Sequence, residues 1–288
     1  MADFRYIKRG AEPNGKYHLN FEQLDHYLTE EPWEVAAAPF RAAPHVWYVS
    51  GIIDVSSWLI DTGDGLILID CPSFGTLYLQ LEAIRTAGFD PHDIKHIFLT
   101  HVHGDHYGGL RPMAEYTGAK VWMSRAAEED LRDRKARGAM RISSFDPGFE
   151  FEPDFYYEDH NPVTIGNMTF KFRICPGHCA GSCVYFFEDT DPDTGKTYKV
   201  AMHGGVGETS TKRIAEAGNP LWHYYRFIAD CYEMSEFDVD ITLASHENQT
   251  NMFSGVNFED PSDYSQFVNK DVWRNLLIAK AEDAIRMG

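Results

Sequence analysis

From residue 45 onward the chain moves between two hydrophobic rhythms. Residues 45–49, 56–61 and 66–70 are rich in β-branched, aromatic and aliphatic side chains, the composition of half- or fully buried strands. Thr62-Gly63-Asp64-Gly65, between the last two, has the make-up of a hairpin turn. Gly51-Ile52-Ile53-Asp54 separates the first two as an apolar-tipped loop, suited either to close over a neighbouring site or to pack beneath the N-terminal residues. The period then lengthens. Leu77, Leu81 and Ile84 recur at helical spacing, and Gly88 follows as a C-terminal cap. A further apolar run at 94–100 reads as a buried strand. Helix signals follow at 110–116, a short strand at 120–123, and at 126–137 a charged helix with a solvated face. Residues 138–162 interleave Gly138, Pro147, Gly148, Pro153 and Pro162 with six aromatics. This reads as a long loop, serving as a lid over an apolar substrate, a satellite cluster or a partner surface.

A second set of strands is expected at 163–165, 168–174, 183–187 and 199–202, with Asp191-Pro192-Asp193-Thr194-Gly195 turning the chain before the last. A helix at 221–237, a strand at 241–244 and a closing helix within 263–286 complete the pattern. Strands followed by helices, twice over, predict an α/β protein of two similar halves, each a sheet with helices on one face. Residues 1–44 lack this periodicity, apart from a short helix at 21–28. Their aromatics (Phe21, Tyr27, Trp33, Phe40) predict an N-terminal extension packed on the 45–288 domain, with a homo-oligomer contact as one use for it.

Charge narrows the partners. Lys and Arg number 26 against 44 Asp and Glu, a net charge of −18. That field disfavours nucleic acid and anionic membranes and leaves a small-molecule substrate as the expected partner. No apolar stretch approaches the roughly 20 residues of a membrane helix, and the first residues lack a signal-peptide core, so a cytoplasmic location is expected. The five cysteines form no regular framework. Three of them, Cys175, Cys179 and Cys183, surround His178. They read as buried thiols, with a metal ligand at Cys179 or Cys183, or a bond between those two, as alternatives.

The densest chemistry follows the 94–100 strand. His101-Val102-His103-Gly104-Asp105-His106 places three imidazoles and a carboxylate within one short stretch, donors that suit zinc and similar divalent ions. Alternate side chains of an extended segment share a face, so His101 and His103 can meet one ion. The turn at Gly104 can then aim Asp105 and His106 at a second position. Three further histidines also follow strands: His178 in Pro176-Gly177-His178, His203 in Met202-His203-Gly204-Gly205, and His246 in Ser245-His246.

Taken together, His101-x-His103-x-Asp105-His106, Gly108-Gly109, Pro176-Gly177-His178-x-x-Gly181-Ser182, Ser245-His246 and the strand Ile67-Leu68-Ile69-Asp70 resemble the metallo-β-lactamase superfamily of hydrolases. The resemblance covers residues 45 to about 280 and implies an αββα sandwich, two mixed sheets face to face with helices outside. It implies one metal on His101, His103 and His178 and a second on Asp105, His106 and His246. Zinc is the usual ion of the hydrolases, and iron or manganese serves some relatives. Many dinuclear members carry a bridging aspartate where this chain has His203-Gly204-Gly205, so the site is most similar to subclass B3. That subclass opens β-lactams, with small hydroxyl residues near this position to seat the substrate carboxylate. Here Ser210, Thr211 and Lys212 are the nearest candidates. Asp105 is expected to orient or relay a proton as well as ligate, and Asp70 to hold an imidazole by its remote nitrogen. His203 is left as a metal contact, a hydrogen-bond partner of a ligand or a structural residue. Hydrolysis of a cyclic amide or ester is the leading expectation. Thioester hydrolysis of the glyoxalase II type and iron-dependent redox chemistry are the alternatives.

Overall fold

The computed structural model describes residues 27–28, 30–136 and 151–288. The expected helix at 21–28, but for its last two residues, and the 138–150 part of the aromatic loop lie outside them. The first sheet runs in chain order: β1 (Phe40–Ala43), β2 (Val46–Tyr48), β3 (Trp58–Asp61), β4 (Leu66–Ile69), β5 (Ile94–Phe98), β6 (Lys120–Ser124) and β7 (Phe155–Tyr157). Its pairing is antiparallel up to β4 and parallel from β4 to β7. Parallel neighbours need crossovers. These are supplied by α1 (Leu77–Thr86), then by α2 (Gly104–Tyr107) with α3 (Leu110–Thr117), then by α4 (Arg125–Ala136). The second sheet has the order β12-β11-β10-β9-β8, built from β8 (Val163–Ile165), β9 (Met168–Ile174), β10 (Cys183–Thr190), β11 (Thr197–His203) and β12 (Ile241–Leu243). Its one parallel pair is β11–β12, joined through α5 (Thr211–Glu216) and α6 (Trp222–Ser235). The short α7 (Glu247–Thr250) and the long α8 (Lys270–Met287) follow.

Side-chain alternation sorts the strands into layers. Trp58 and Ile60 of β3, with Ile67 and Ile69 of β4, face a central core shared with Phe170, Phe172, Tyr185 and Met202 of the second sheet. Leu59, Leu66 and Leu68 point the other way, onto Ala83 and Ile84 of α1 and Leu110 and Met113 of α3. On the far side Val184 and Ala201 meet Phe227 and Met234 of α6 and Trp273 and Leu277 of α8. Three apolar clusters between four layers make the fold the αββα sandwich that the sequence led us to expect. They also explain why β4 is apolar throughout, since both of its faces are covered.

Several boundaries differ from the sequence reading for identifiable reasons. Residues 155–157, expected within a loop, form β7, with Tyr157 buried against Phe98 and Phe172. β1 lies within the segment expected as an extension and pairs with β2, its Phe40 stacked on Tyr48. The closing helix, expected within 263–286, begins at Lys270, where the Asn269 side chain caps it by accepting from Asp271 N–H. Ile52 and Ile53 are buried, not projecting. Ile53 N–H donates to Val35 O and Ala37 N–H to Gly51 O, which settles the loop beneath residues 35–37. No helix of the described residues is long and apolar enough to cross a membrane.

Candidate metal centre

The histidines sit where strands end at one rim of the sandwich. Beyond β5 the chain stays extended through Thr100, whose carbonyl accepts from Cys183 N–H at the start of β10 and so ties the two sheets together there. His101 follows, and His103 precedes the single turn of α2, which carries Asp105 and His106. His178 stands in the turn between β9 and β10, and His246 directly before α7. The fold thus brings together all six residues the resemblance implied, in two groups: His101, His103 and His178, and Asp105, His106 and His246. Within each group the ligand atoms lie within 4.8 Å of one another. His101 Nε2 is 3.1 Å from His103 Nδ1, and His106 Nε2 is 3.2 Å from His246 Nε2. Four ligands about a zinc at 2.0–2.1 Å stand about 3.4 Å apart, so the groups have the size of metal triads.

The remote nitrogens decide where the protons are. Asp70 follows β4 with φ +61° and its carboxylate is fully buried. One oxygen accepts from Thr100 N–H at 2.8 Å; the other accepts from the Thr100 hydroxyl at 2.7 Å and from His106 Nδ1 at 2.7 Å. The Thr100 hydroxyl proton is thereby committed, so its oxygen can only accept from His101 Nδ1, 3.0 Å away. Both His101 and His106 must carry the proton on Nδ1 and turn a bare Nε2 to the site. His178 Nδ1 lies 3.3 Å from Glu208 O, His246 Nδ1 3.5 Å from an Asp54 carboxylate oxygen, and His103 Nε2 3.3 Å from Cys179 Sγ. Each imidazole has a partner behind it, and in each group two ring nitrogens converge at 3.1–3.2 Å, at least one of them a bare lone pair. A divalent cation drawn into such a contact takes up the lone pairs and displaces any proton shared between the rings. The donor set therefore fits two divalent ions.

Burial tunes the centre further. It pushes His178 down to about 3, helped by the charge of Arg213, and pushes His101 well below the usual imidazole range. Both are neutral, ready ligands near pH 7. For His246 burial also lowers the value, but the Asp54 hydrogen bond and the charges of Asp54, Asp105 and Asp70 outweigh it and hold the ring at about 8. Burial raises Asp105, yet the neighbouring His106 and His246 more than reverse this and keep it ionised. The side chains of Asp105 and His246 are 27% and 23% exposed, whereas those of His106 and Asp70 are fully buried, and each group offers one buried and two part-exposed ligands.

The glycines after β11 have a spatial role. A side chain at Gly204 would meet Cys183 O at 2.7 Å, one at Gly205 the Ser182 Cβ at 2.7 Å, and one at Gly207 the His178 ring itself. The room a side chain would need at each of these positions is already filled. His203 is buried and stands apart from both groups. Its Nδ1 accepts from Gly205 N–H, its Nε2 has no partner, and burial lowers its pKa to about 3. Ser210 caps α5 by accepting from Arg213 N–H. Lys212 is 83% exposed and pairs with Glu216. Neither is drawn into the groups of ligands. Thr100 and Asp54 were not singled out from sequence. Thr100 could have been, as the hydroxyl residue directly before the first ligand; Asp54 was noted only as part of its loop.

The sequence profile of the metallo-β-lactamase superfamily matches residues 51–191. The hydroxyacylglutathione hydrolase of Francisella tularensis subsp. novicida is 29% identical over 143 residues, 49% of this chain and 46% of that protein. Among solved structures, the metallo-β-lactamase GOB-18 of Elizabethkingia meningoseptica superposes with a TM-score of 0.76 at 26% identity, covering 89% of this chain and 94% of that one. The class B3 di-zinc metallo-β-lactamase LRA-12 from an Alaskan soil metagenome gives 0.76 at 20% identity, covering 90% and 97%. The matched stretches span between 36% and 56% of the curated relatives' own lengths. With the sandwich, the two ligand groups and these likenesses in agreement, residues 51–191 are a metallo-β-lactamase superfamily domain, and the chain shares its fold with metallo-β-lactamases of subclass B3.

Proposed function

We propose that the chain is a dinuclear zinc hydrolase that opens a cyclic amide or ester, a β-lactam or a lactone. The observation that carries this reading is the gathering of six donors into two triads, with imidazole nitrogens 3.1 and 3.2 Å apart and the protons of His101 and His106 held on their far nitrogens. His101, His103 and His178 would hold one ion, and Asp105, His106 and His246 the other. Bound in this way, two divalent cations make hydroxide available at neutral pH and polarise a carbonyl. The chain's own residues do the rest. Asp105, ionised and partly exposed, is placed to accept the proton of the attacking water and hand it to the departing nitrogen or oxygen. Asp70, Thr100 and Asp54 keep the imidazoles in the ligating tautomer throughout. The filled space at Gly204 and Gly205 favours a centre without a bridging carboxylate, in keeping with the subclass B3 resemblance.

Thioester hydrolysis is the second reading, supported by the likeness to hydroxyacylglutathione hydrolases. A chromogenic cephalosporin, a lactone and a glutathione thioester, each tested on metal-analysed protein, separate the two. Two zinc ions per chain and turnover of a cyclic substrate, lost in His178→Ala, are expected. Preference for the thioester would establish the second reading, and a single iron with no hydrolysis would overturn both.

A further inference from the structure

Of the five rear contacts that hold the imidazoles, one is made by a thiol. Cys179 is buried, and its sulfur lies 3.3 Å from His103 Nε2. The other nitrogen of that ring, Nδ1, is the one turned to His101. His103 is thus oriented the opposite way from His101 and His106, which present Nε2 and are held at Nδ1. The turn fixes the thiol in place. Cys179 O accepts from Gly177 N–H at 3.2 Å and from Ser182 N–H at 3.4 Å, Cys179 N–H donates to Ser182 Oγ at 3.2 Å, and Cys175 N–H donates to Ser182 O at 2.8 Å across the base. One tight turn between β9 and β10 therefore delivers a ligand, His178, and in the next residue the group that faces another ligand 76 positions away.

We propose that Cys179 is the positioning residue of the first group of ligands. Its sulfur accepts from His103 Nε2–H, which leaves Nδ1 bare and aimed between His101 and His178. This rests on the reading that a cation is held there. Sulfur is a weak acceptor, so its effect is directional: it selects the tautomer and the ring rotation in a site where the backbone turn allows the thiol little movement. A serine hydroxyl at the same position can also accept, and an alanine cannot. Loss of such a rear partner typically weakens metal binding about 10–100-fold.

The test is zinc titration against a chromophoric chelator for wild type, Cys179→Ser and Cys179→Ala, with cobalt(II) absorption spectra of each. A long-range proton–nitrogen correlation of zinc-loaded wild type reads the His103 tautomer directly and needs no variant. We expect Cys179→Ala to lose about 10–100-fold in the affinity of one ion only, with an altered cobalt spectrum, Cys179→Ser to stay close to wild type, and His103 to carry its proton on Nε2. Unchanged affinity in the alanine variant, an equal loss in both variants, or a proton on Nδ1 would overturn the role of Cys179. A wild-type protein that binds no divalent cation would overturn the centre itself, and this role with it.

Discussion

Replacing Asp70 with asparagine is the most searching single change. It alters neither the volume nor the backbone, because asparagine tolerates the left-handed conformation that residue 70 adopts. What changes is the second carboxylate oxygen, which accepts from both the Thr100 hydroxyl and His106 Nδ1. An amide nitrogen there can accept from neither, and flipping the amide sets it against Thr100 N–H instead. Two relaxations are available. The Thr100 hydroxyl can rotate to accept from the amide, and His106 can move its proton from Nδ1 to Nε2. Two hydrogen bonds to a charged group, about 1.5–3 kcal/mol each, become neutral ones of about 1 kcal/mol, a loss of about 1–4 kcal/mol in unfolding free energy.

The relaxations disable the ligands. His106 then presents an N–H to the second group. The rotated Thr100 hydroxyl donates to His101 Nδ1, which pushes the His101 proton onto Nε2 in the first group. One carboxylate thus sets the tautomer of a ligand in each half of the centre. We expect Asp70→Asn to weaken both zinc affinities about 10–100-fold. Chelator competition measures the affinities, and urea denaturation of the metal-stripped protein measures the stability. A variant destabilised as predicted, with both affinities unchanged, would refute the tautomer argument and leave Asp70 a structural residue.

Two further predictions test the surroundings. Gly205→Asp, which attempts to install the bridging carboxylate, should destabilise the fold by about 1–3 kcal/mol through overpacking on Ser182 without raising metal affinity; a stable variant with a tighter centre would contradict this. His203 folds at a pKa of about 3 against an ordinary 6.5, so the unfolded chain binds the extra proton first. Its contribution is complete above pH 6.5 and falls by about 1.4 kcal/mol per pH unit from there toward pH 3. His203→Asn keeps an acceptor for Gly205 N–H and, in denaturation curves, should reduce the slope of the metal-stripped protein by that one-proton amount, with His101 and His178 still contributing theirs; an unchanged slope would exclude His203 as a source.

How far the centre could be read from sequence follows from how local each part of it is. Four of the six ligands lie within His101–His106, where an apolar strand runs into a glycine turn, and that juxtaposition is visible in one dimension. His178 and His246 are isolated, and it took the resemblance to pair them with ions. The sandwich was legible because β3 and β4 alternate or fill both faces as covered strands must. β7 was not, because Phe155-Tyr156-Tyr157 is a short edge strand between stretches of loop composition, stabilised by long-range packing on Phe98 and Phe172. The rear contacts were the least legible part. Asp70 was a candidate from its strand end, but its partner Thr100 is 30 residues on, and Asp54 reaches His246 only because residues 35–37 bury the loop in front of it. Ligand identity is a property of short stretches, whereas the protonation of each ligand is a property of the assembled rim. Substitutions at Asp70, Thr100 or Cys179 should therefore impair metal binding while leaving every ligand in the sequence intact.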